Sequence, residues 1–220
     1  MVRSKVLVML SGGLDSATCL YWSKMKFTDV SVITFNYYKR LTGEKKATAE
    51  LAKRATVTNF FEINIPFIKE PMDFYNSHFK STGVLDGRWS SYIPARNILF
   101  YSIAAYYAEF LNIKYIVGGH NSHDRAFFKD ATEGYIKKIN SLFKQGCLFC
   151  DGNPYRIILP LARMKRKNII NLAIKLKVPI ELTWSCHNKG KTHCGRCYAC
   201  KQRLEAFNSL GLKDPVFFYQ

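Results

Sequence analysis

The sequence predicts an α/β fold: an open, parallel five-stranded sheet with helices on both faces, carrying a small C-terminal metal-binding segment. Three observations predict it. Short apolar runs alternate with helix-forming stretches, and successive β-α units imply a parallel sheet with right-handed crossovers. The first apolar run ends on a Gly-Gly turn that opens a helix. The chain has 220 residues, 48% hydrophobic and 22% charged, which is globular composition at a length that hides roughly 70% of the unfolded chain's surface.

The elements follow in order. Residues 5–10 are a short apolar run suited to a buried parallel strand, and residues 17–26 then read as a helix. Residues 30–35 are β-branched and aromatic, a second strand. Residues 44–55 are rich in Ala, Lys and Glu and predict a helix. Residues 60–65 make a third strand, stopped by Pro66. Residues 66–92 lack periodicity and read as a long excursion of the sort that is often functional. Residues 96–111 form a mostly apolar, hence central, helix. A fourth strand at 115–118, a helix at 127–143, a fifth strand at 157–159 and a helix at 166–176 complete the pattern. The expected division is an α/β domain over 1–182 and a cysteine-rich segment with a helix over 183–220. Sheets of this kind bind ligands beyond the C-terminal ends of their strands.

Charge narrows the partners without choosing one. Lys and Arg number 33 against 16 acidic residues, a net +17, which attracts nucleotides, nucleic acids or anionic membranes. No run of about 18 apolar residues exists, so no membrane-spanning helix is expected. The first apolar run is too short for a secretory signal. The reading is a cytoplasmic protein with no membrane partner.

Ser11-Gly12-Gly13-Leu14-Asp15-Ser16 lies between the first strand and first helix. Paired glycines let the backbone turn tightly and approach a ligand. The following helix offers unpaired N–H groups and a positive dipole end to an anion. Ser11 and Ser16 can donate to phosphate oxygens. Asp15 would repel a phosphate, and makes sense as a ligand of a bridging Mg2+. The plain alternative is a Gly-Gly turn with Ser16 as helix cap.

Seven cysteines are distributed unevenly. Cys186, Cys194, Cys197 and Cys200 offer four thiolates within fifteen residues, which suits one tetrahedral Zn2+ in a closed, structural shell. An iron–sulfur cluster would use the same four thiolates. Cys147 and Cys150 could be a redox pair, half of a second site, or reduced loop residues; the last is the expectation for a cytoplasmic chain.

The hexapeptide resembles the PP-loop, SGGxDS, of the ATP pyrophosphatases, which split ATP into AMP and pyrophosphate. Together with the cysteine cluster, an ordered set of motifs resembles one branch of that superfamily, the QueC or 7-cyano-7-deazaguanine synthase family. Phe35-Asn36-Tyr37-Tyr38-Lys39-Arg40, followed by Glu44, sits where the family has a Tyr-Gly-Gln-Arg-like segment. Tyr92-Ile93-Pro94-Ala95-Arg96-Asn97 resembles its V-P-x-R-N motif. Gly118 to Asp124 resembles its G-x-N-x-x-D segment, and Pro160-Leu161 its P-L pair. Thr183-Trp184-Ser185-Cys186 through Cys200, followed by Arg203, resembles its zinc segment. The departures fall where a substrate would be recognised. Tyr38-Lys39 replaces Gly-Gln, and Phe128-Lys129-Asp130-Ala131-Thr132 keeps only the Asp of a Tyr-Pro-Asp-Cys-Arg stretch.

The resemblance implies an ATP-dependent ligase taking 7-carboxy-7-deazaguanine and ammonia to the nitrile, with ATP, Mg2+ and Zn2+, as a homodimer. Two adenylations would be used, one of the carboxylate and one of the amide oxygen. Leu10, Ser11, Gly12, Gly13, Leu14, Asp15, Ser16 and Ala17 would bind the phosphates, and Thr34, Phe35 and Asn36 the adenine. Asp15, Ser16, Arg96 and Arg166 are the expected catalytic residues, with Lys165 and Lys167 flanking the last. Tyr37, Arg96, Asn97, Asn121, Asp124 and Asp130 would face the substrate. Core packing is the competing use of Tyr37, a surface position that of Arg96, and a helix cap that of Asp124. The rival readings are a PP-loop enzyme acting directly on tRNA, which the net charge favours, and a QueC-like enzyme using another amine. A zinc knuckle on a dead ATP fold is opposed by the intact loop.

Overall fold

The computed structural model describes residues 2–68, 93–147 and 154–216. Most of the expected excursion, together with Tyr92 and Cys150, lies outside the described residues.

Five strands, β1 (Val2–Met9), β2 (Phe27–Tyr37), β3 (Phe60–Ile65), β4 (Tyr115–Val117) and β5 (Arg156–Ile158), form one sheet in the order β3-β2-β1-β4-β5. Every neighbouring pair is parallel, so the fold class is the expected one. The helices are α1 (Leu14–Lys26), α2 (Thr42–Arg54), α3 (Arg96–Phe110), α4 (Asp124–Phe127), α5 (Glu133–Gly146), α6 (Arg166–Lys175) and α7 (Tyr198–Asn208).

Strand alternation divides the core in two, because successive side chains point to opposite faces. Val6, Val8, Val30, Val32 and Val117 face α1, α2, α6 and α7. Leu7, Ile33, Phe35, Ile116 and Ile157 face α3 and α5. A sheet covered on both faces explains why its strands read as nearly continuous apolar runs.

One expected helix is broken. Residues 127–143 contain the end of α4, a 3-10 turn at Lys129–Ala131, and α5. Phe128 is extended at φ −122°, ψ 111°, and Thr132 at φ −81°, ψ 150°. The Thr132 hydroxyl accepts the Tyr135 N–H at 3.2 Å, and such a cap starts a new helix rather than continuing an old one. The strand ends shift by a few residues as well: β2 starts directly where α1 stops, at Phe27.

The chain after α6 is tied down by Arg203, 1% exposed. Its guanidinium donates to both Asp214 oxygens at 2.7 and 3.0 Å, and to Thr183 Oγ1 at 2.7 Å. Among the described residues no helix is long and apolar enough to cross a membrane.

Candidate functional site

The strand order reverses at β1: β2 and β3 lie on one side of it, β4 and β5 on the other. Crevices open at such switch points, outside the carboxyl ends of the strands. The loop after β1 and the first turn of α1 carry residues 10–17, and the loop after β4 carries residues 118–123 and leads into α4 at Asp124. Gly119 lets the two meet, since a Cβ there would stand 3.3 Å from the Ser16 backbone nitrogen.

The first loop is internally braced. Ser16 Oγ donates to the Gly13 carbonyl at 3.0 Å and accepts the Ser11 N–H at 3.2 Å. Ser11 Oγ lies 3.1 Å from Ser16 Oγ. The N-cap of α1 is Gly13, with no side-chain cap, so Ser16 is not the helix cap that the plain alternative expected. The paired hydroxyls stand together at the positive end of the helix, where an anion gains most. Leu10, Leu14 and Ala17 are buried in the core beneath.

Asp15 meets the second loop. Its Oδ2 accepts from Asn121 Nδ2 at 2.9 Å, while its Oδ1 is buried without a hydrogen-bond partner. Burial pushes its carboxyl up to about 6, with Asp124 adding to the rise and Arg166 opposing it. An orphaned, destabilised carboxylate oxygen with a second carboxylate nearby fits a hard divalent cation. Asn121 Oδ1 also accepts the His123 and Asp124 N–H groups at 2.7 and 3.1 Å. Asp124 Oδ2 in turn accepts the Asn121 N–H at 3.1 Å.

The other expected residues fall around this point. Arg166, at the start of α6, acts on Asp15, His123 and Asp124. It is half-buried, whereas Lys165 and Lys167 are exposed. Arg96, at the start of α3, acts on Tyr37, Tyr101, His120 and Asp124. Asn97 is buried. Asp130, in the 3-10 turn, acts on Tyr101. At the end of β2, Thr34 and Asn36 face the α1 side with Val32, and Thr34 Oγ1 is buried and unpaired. Phe35 and Tyr37 point to the other face, where Phe35 stacks on Phe100 with ring centroids 4.2 Å apart. Tyr37 packs 6.3 Å from Phe100, so core packing accounts for much of its ring.

Sequence reasoning missed Tyr101, His120 and Arg40. The Tyr101 hydroxyl is buried without a partner beside Gly118, where a Cβ would overlap it. His120 meets Tyr101 edge-on at 5.9 Å. Nothing in the apolar run of α3 marks one tyrosine among three, but a glycine pair directly after a strand is a signal of close approach.

The four sulfurs of Cys186, Cys194, Cys197 and Cys200 all lie within 4.8 Å of one another. Thiolates about 2.3 Å from a shared centre fit that spacing, so the set suits a tetrahedral metal ion. Burial pushes the Cys186 and Cys200 thiols up, and backbone N–H donors help hold Cys194 down at about 6. Tyr198, at the start of α7, places its hydroxyl 3.4 Å from His123 Nε2. Cys147 corrects an expectation: it is disulfide-bonded, not reduced, while Cys19 and the four clustered cysteines are free. Compartment chemistry alone suggested the reduced state, and it says nothing about whether a particular thiol has a partner within reach.

Comparison with known proteins bears on the whole chain. The family described as "Queuosine biosynthesis protein QueC" matches residues 5–211. A 7-cyano-7-deazaguanine synthase of Nostoc punctiforme is 32% identical over 231 residues, covering 97% of this chain and 99% of its own. One from Picrophilus torridus is 33% identical over 225 residues, covering 97% and 91%. Among solved structures, a predicted subunit of tRNA methyltransferase from Methanocaldococcus jannaschii aligns at a TM-score of 0.50 and 15% identity, over 99% of this chain and 93% of its own. That likeness is one of fold.

Proposed function

The chain belongs to the QueC family, and from that premise we propose that it converts 7-carboxy-7-deazaguanine and ammonia to 7-cyano-7-deazaguanine with ATP, releasing AMP and pyrophosphate. The observation that carries the reading is the meeting of the two loops at Asp15, whose Oδ2 accepts from Asn121 while its Oδ1 is left buried and unpaired, at the point where the sheet order reverses. Residues 1–182 would be the ATP-binding domain and residues 183–220 the zinc-bearing tail of a homodimer.

A carboxylate is a poor electrophile because oxide would have to leave. Attack of its oxygen on the α-phosphorus of ATP expels pyrophosphate and gives an acyl adenylate. Ammonia adds to the acyl carbon and gives up one proton, the C–O bond to the adenylate breaks with AMP leaving, and an amide remains. The amide oxygen then attacks the α-phosphorus of a second ATP, expelling pyrophosphate and losing one N–H proton to give an O-adenylated imidate. Breaking its C–O bond releases AMP, and loss of the remaining N–H proton forms the nitrile.

The protein's task is positioning and charge neutralisation. Ser11, Gly12, Gly13 and Ser16 hold the leaving pyrophosphate, with Leu10, Leu14 and Ala17 fixing the loop from the core. Thr34, Phe35 and Asn36 border the adenine. Arg166 offsets charge on the phosphates. Arg96 takes the substrate carboxylate or the α-phosphate, because its planar fork suits either anion. Tyr37, Asn97, Asn121, Asp124 and Asp130 surround the deazaguanine. Asp15 would hold Mg2+, which would neutralise phosphate charge, and Cys186, Cys194, Cys197 and Cys200 would hold Zn2+ in a closed structural shell.

The test is to incubate the protein with ATP, Mg2+, ammonia and 7-carboxy-7-deazaguanine and follow products by mass spectrometry. The expected result is the nitrile with two AMP per product. AMP release that requires added tRNA, or an amide product from another amine, overturns it.

A further inference from the structure

The cysteine-rich segment touches the phosphate loop directly. The Trp184 backbone N–H donates to the Gly12 carbonyl at 2.9 Å. One residue earlier, the Ser11 carbonyl accepts from Arg40 Nη2 at 3.3 Å. A trans peptide unit carries its C=O and the following N–H on opposite sides. Holding the Ser11 and Gly12 carbonyls toward outside partners therefore turns the Gly12 and Gly13 N–H groups the other way, the Gly13 N–H making a long 3.4 Å contact to Ser11 Oγ. A carbonyl turned into the crevice would repel phosphate oxygens, while an N–H attracts them.

Both outside partners are themselves fixed. Arg40 is 9% exposed. Its Nη1 donates to the Phe35 carbonyl and Asn36 Oδ1, each at 2.9 Å, and its Nη2 also reaches Thr48 Oγ1 at 2.9 Å. It thus ties the end of β2, the loop and α2 together. The Trp184 indole lies on Gly43 of α2, where any Cβ would overlap it. Its Nε1 donates to the Cys186 carbonyl at 2.8 Å, and its ring sits 4.4 Å from that of His193. Its neighbours Thr183 and Ser185 are both held by Arg203. Gly12 has φ +92°, with the Glu44 carbonyl 2.7 Å from where a Cβ would stand, so the loop is wedged against α2 between its two clamps.

We propose that Arg40 and Trp184 are positioning residues that orient the N–H donors of the pyrophosphate-binding loop, so that the cysteine segment forms the outer wall of the ATP site. The inference rests on the ATP reading above. Residues 183–197 then do more than pin the tail: disturbing them disturbs Gly12.

The experiment compares Gly43→Ala, Trp184→Ala, Trp184→Phe and Arg40→Lys with the unaltered protein. Gly43→Ala pushes the indole off α2 without altering a cysteine or a loop residue. Calorimetry measures binding of inorganic pyrophosphate and of ATP, with metal content and melting temperature recorded alongside. Gly43→Ala, Trp184→Ala and Arg40→Lys should keep their metal and bind pyrophosphate about 10- to 100-fold more weakly, with KM for ammonia unchanged. Trp184→Phe, which keeps a ring on Gly43, should recover most of the affinity. Folded, metal-loaded Gly43→Ala and Arg40→Lys proteins with unaltered pyrophosphate affinity overturn the proposal, even if they melt lower. Should Trp184→Ala lose its metal, those two variants decide the matter. Failure of the unaltered protein to bind ATP or pyrophosphate would instead remove the underlying reading.

Discussion

Asn121 holds Asp15: its Nδ2 donates to Asp15 Oδ2 at 2.9 Å, across 106 positions of sequence. The same side chain braces its own loop by accepting two backbone N–H groups. It therefore fixes one carboxylate oxygen and leaves the other buried and unpaired. Removing a group that orients a metal ligand typically weakens the metal about 10- to 100-fold. Asn121→Ala should raise the Mg2+ concentration for half-maximal AMP release by that factor. Titration of Mg2+ at saturating ATP checks it, and an unchanged midpoint would count against Asp15 as the ligand.

Arg203 and Asp214 form a bidentate pair with both side chains 2% exposed or less. Breaking a buried pair on one side leaves an uncompensated charge and costs about 3–5 kcal/mol. Asp214→Ala should lower unfolding free energy by that amount in urea titrations. Because Arg203 also holds Thr183 and Ser185, the variant should lose metal to a chelator faster than the unaltered chain. A loss below 1 kcal/mol would show that the tail is anchored elsewhere.

How much of this could be read from the chain depended on sequence distance. The loop over residues 11–16 and the four cysteines are contiguous, so spacing alone exposes their chemistry. The five strands and their parallel pairing followed from apolar runs interleaved with helices. The break at Phe128 was hidden because its one signal, the Thr132 cap, competes with apolar residues on both sides. The contacts that join the site, Asn121 to Asp15 and Trp184 to Gly12, link residues more than a hundred positions apart. No local propensity encodes them. Arg40 stands in a recognisable motif, but its role appears only when β2, α2 and the loop surround it.

Cys197 is one of the four clustered thiols, with its N–H donating to Cys194 Sγ at 3.3 Å. Three thiolates bind zinc far more weakly than four in a closed shell. Cys197→Ser should bring zinc, measured by atomic emission on purified protein, from one per chain to well below half. Binding at a structural site adds to folding free energy, so the melting temperature should fall too. Unchanged zinc content would remove Cys197 from the ligand set.

His120 gives the site a pH signature. Burial, with Arg96 adding to it, pushes its imidazole down to about 4 from 6.5. Between those values the unfolded chain binds a proton that the folded chain refuses, so this group makes stability fall as pH falls. From pH 7 to pH 5 the loss attributable to it is about 2 kcal/mol. Asp15, raised to about 6, works in the opposite sense over about 4 to 6, and His193 is lowered to about 4 like His120. Both are unchanged by a substitution at His120 and drop out of a difference. Urea titrations of the unaltered chain and His120→Gln at pH 5, 6 and 7 should give curves that converge as pH falls, the variant losing less. Parallel curves would mean that the imidazole titrates normally and is not enclosed by Tyr101 and Arg96.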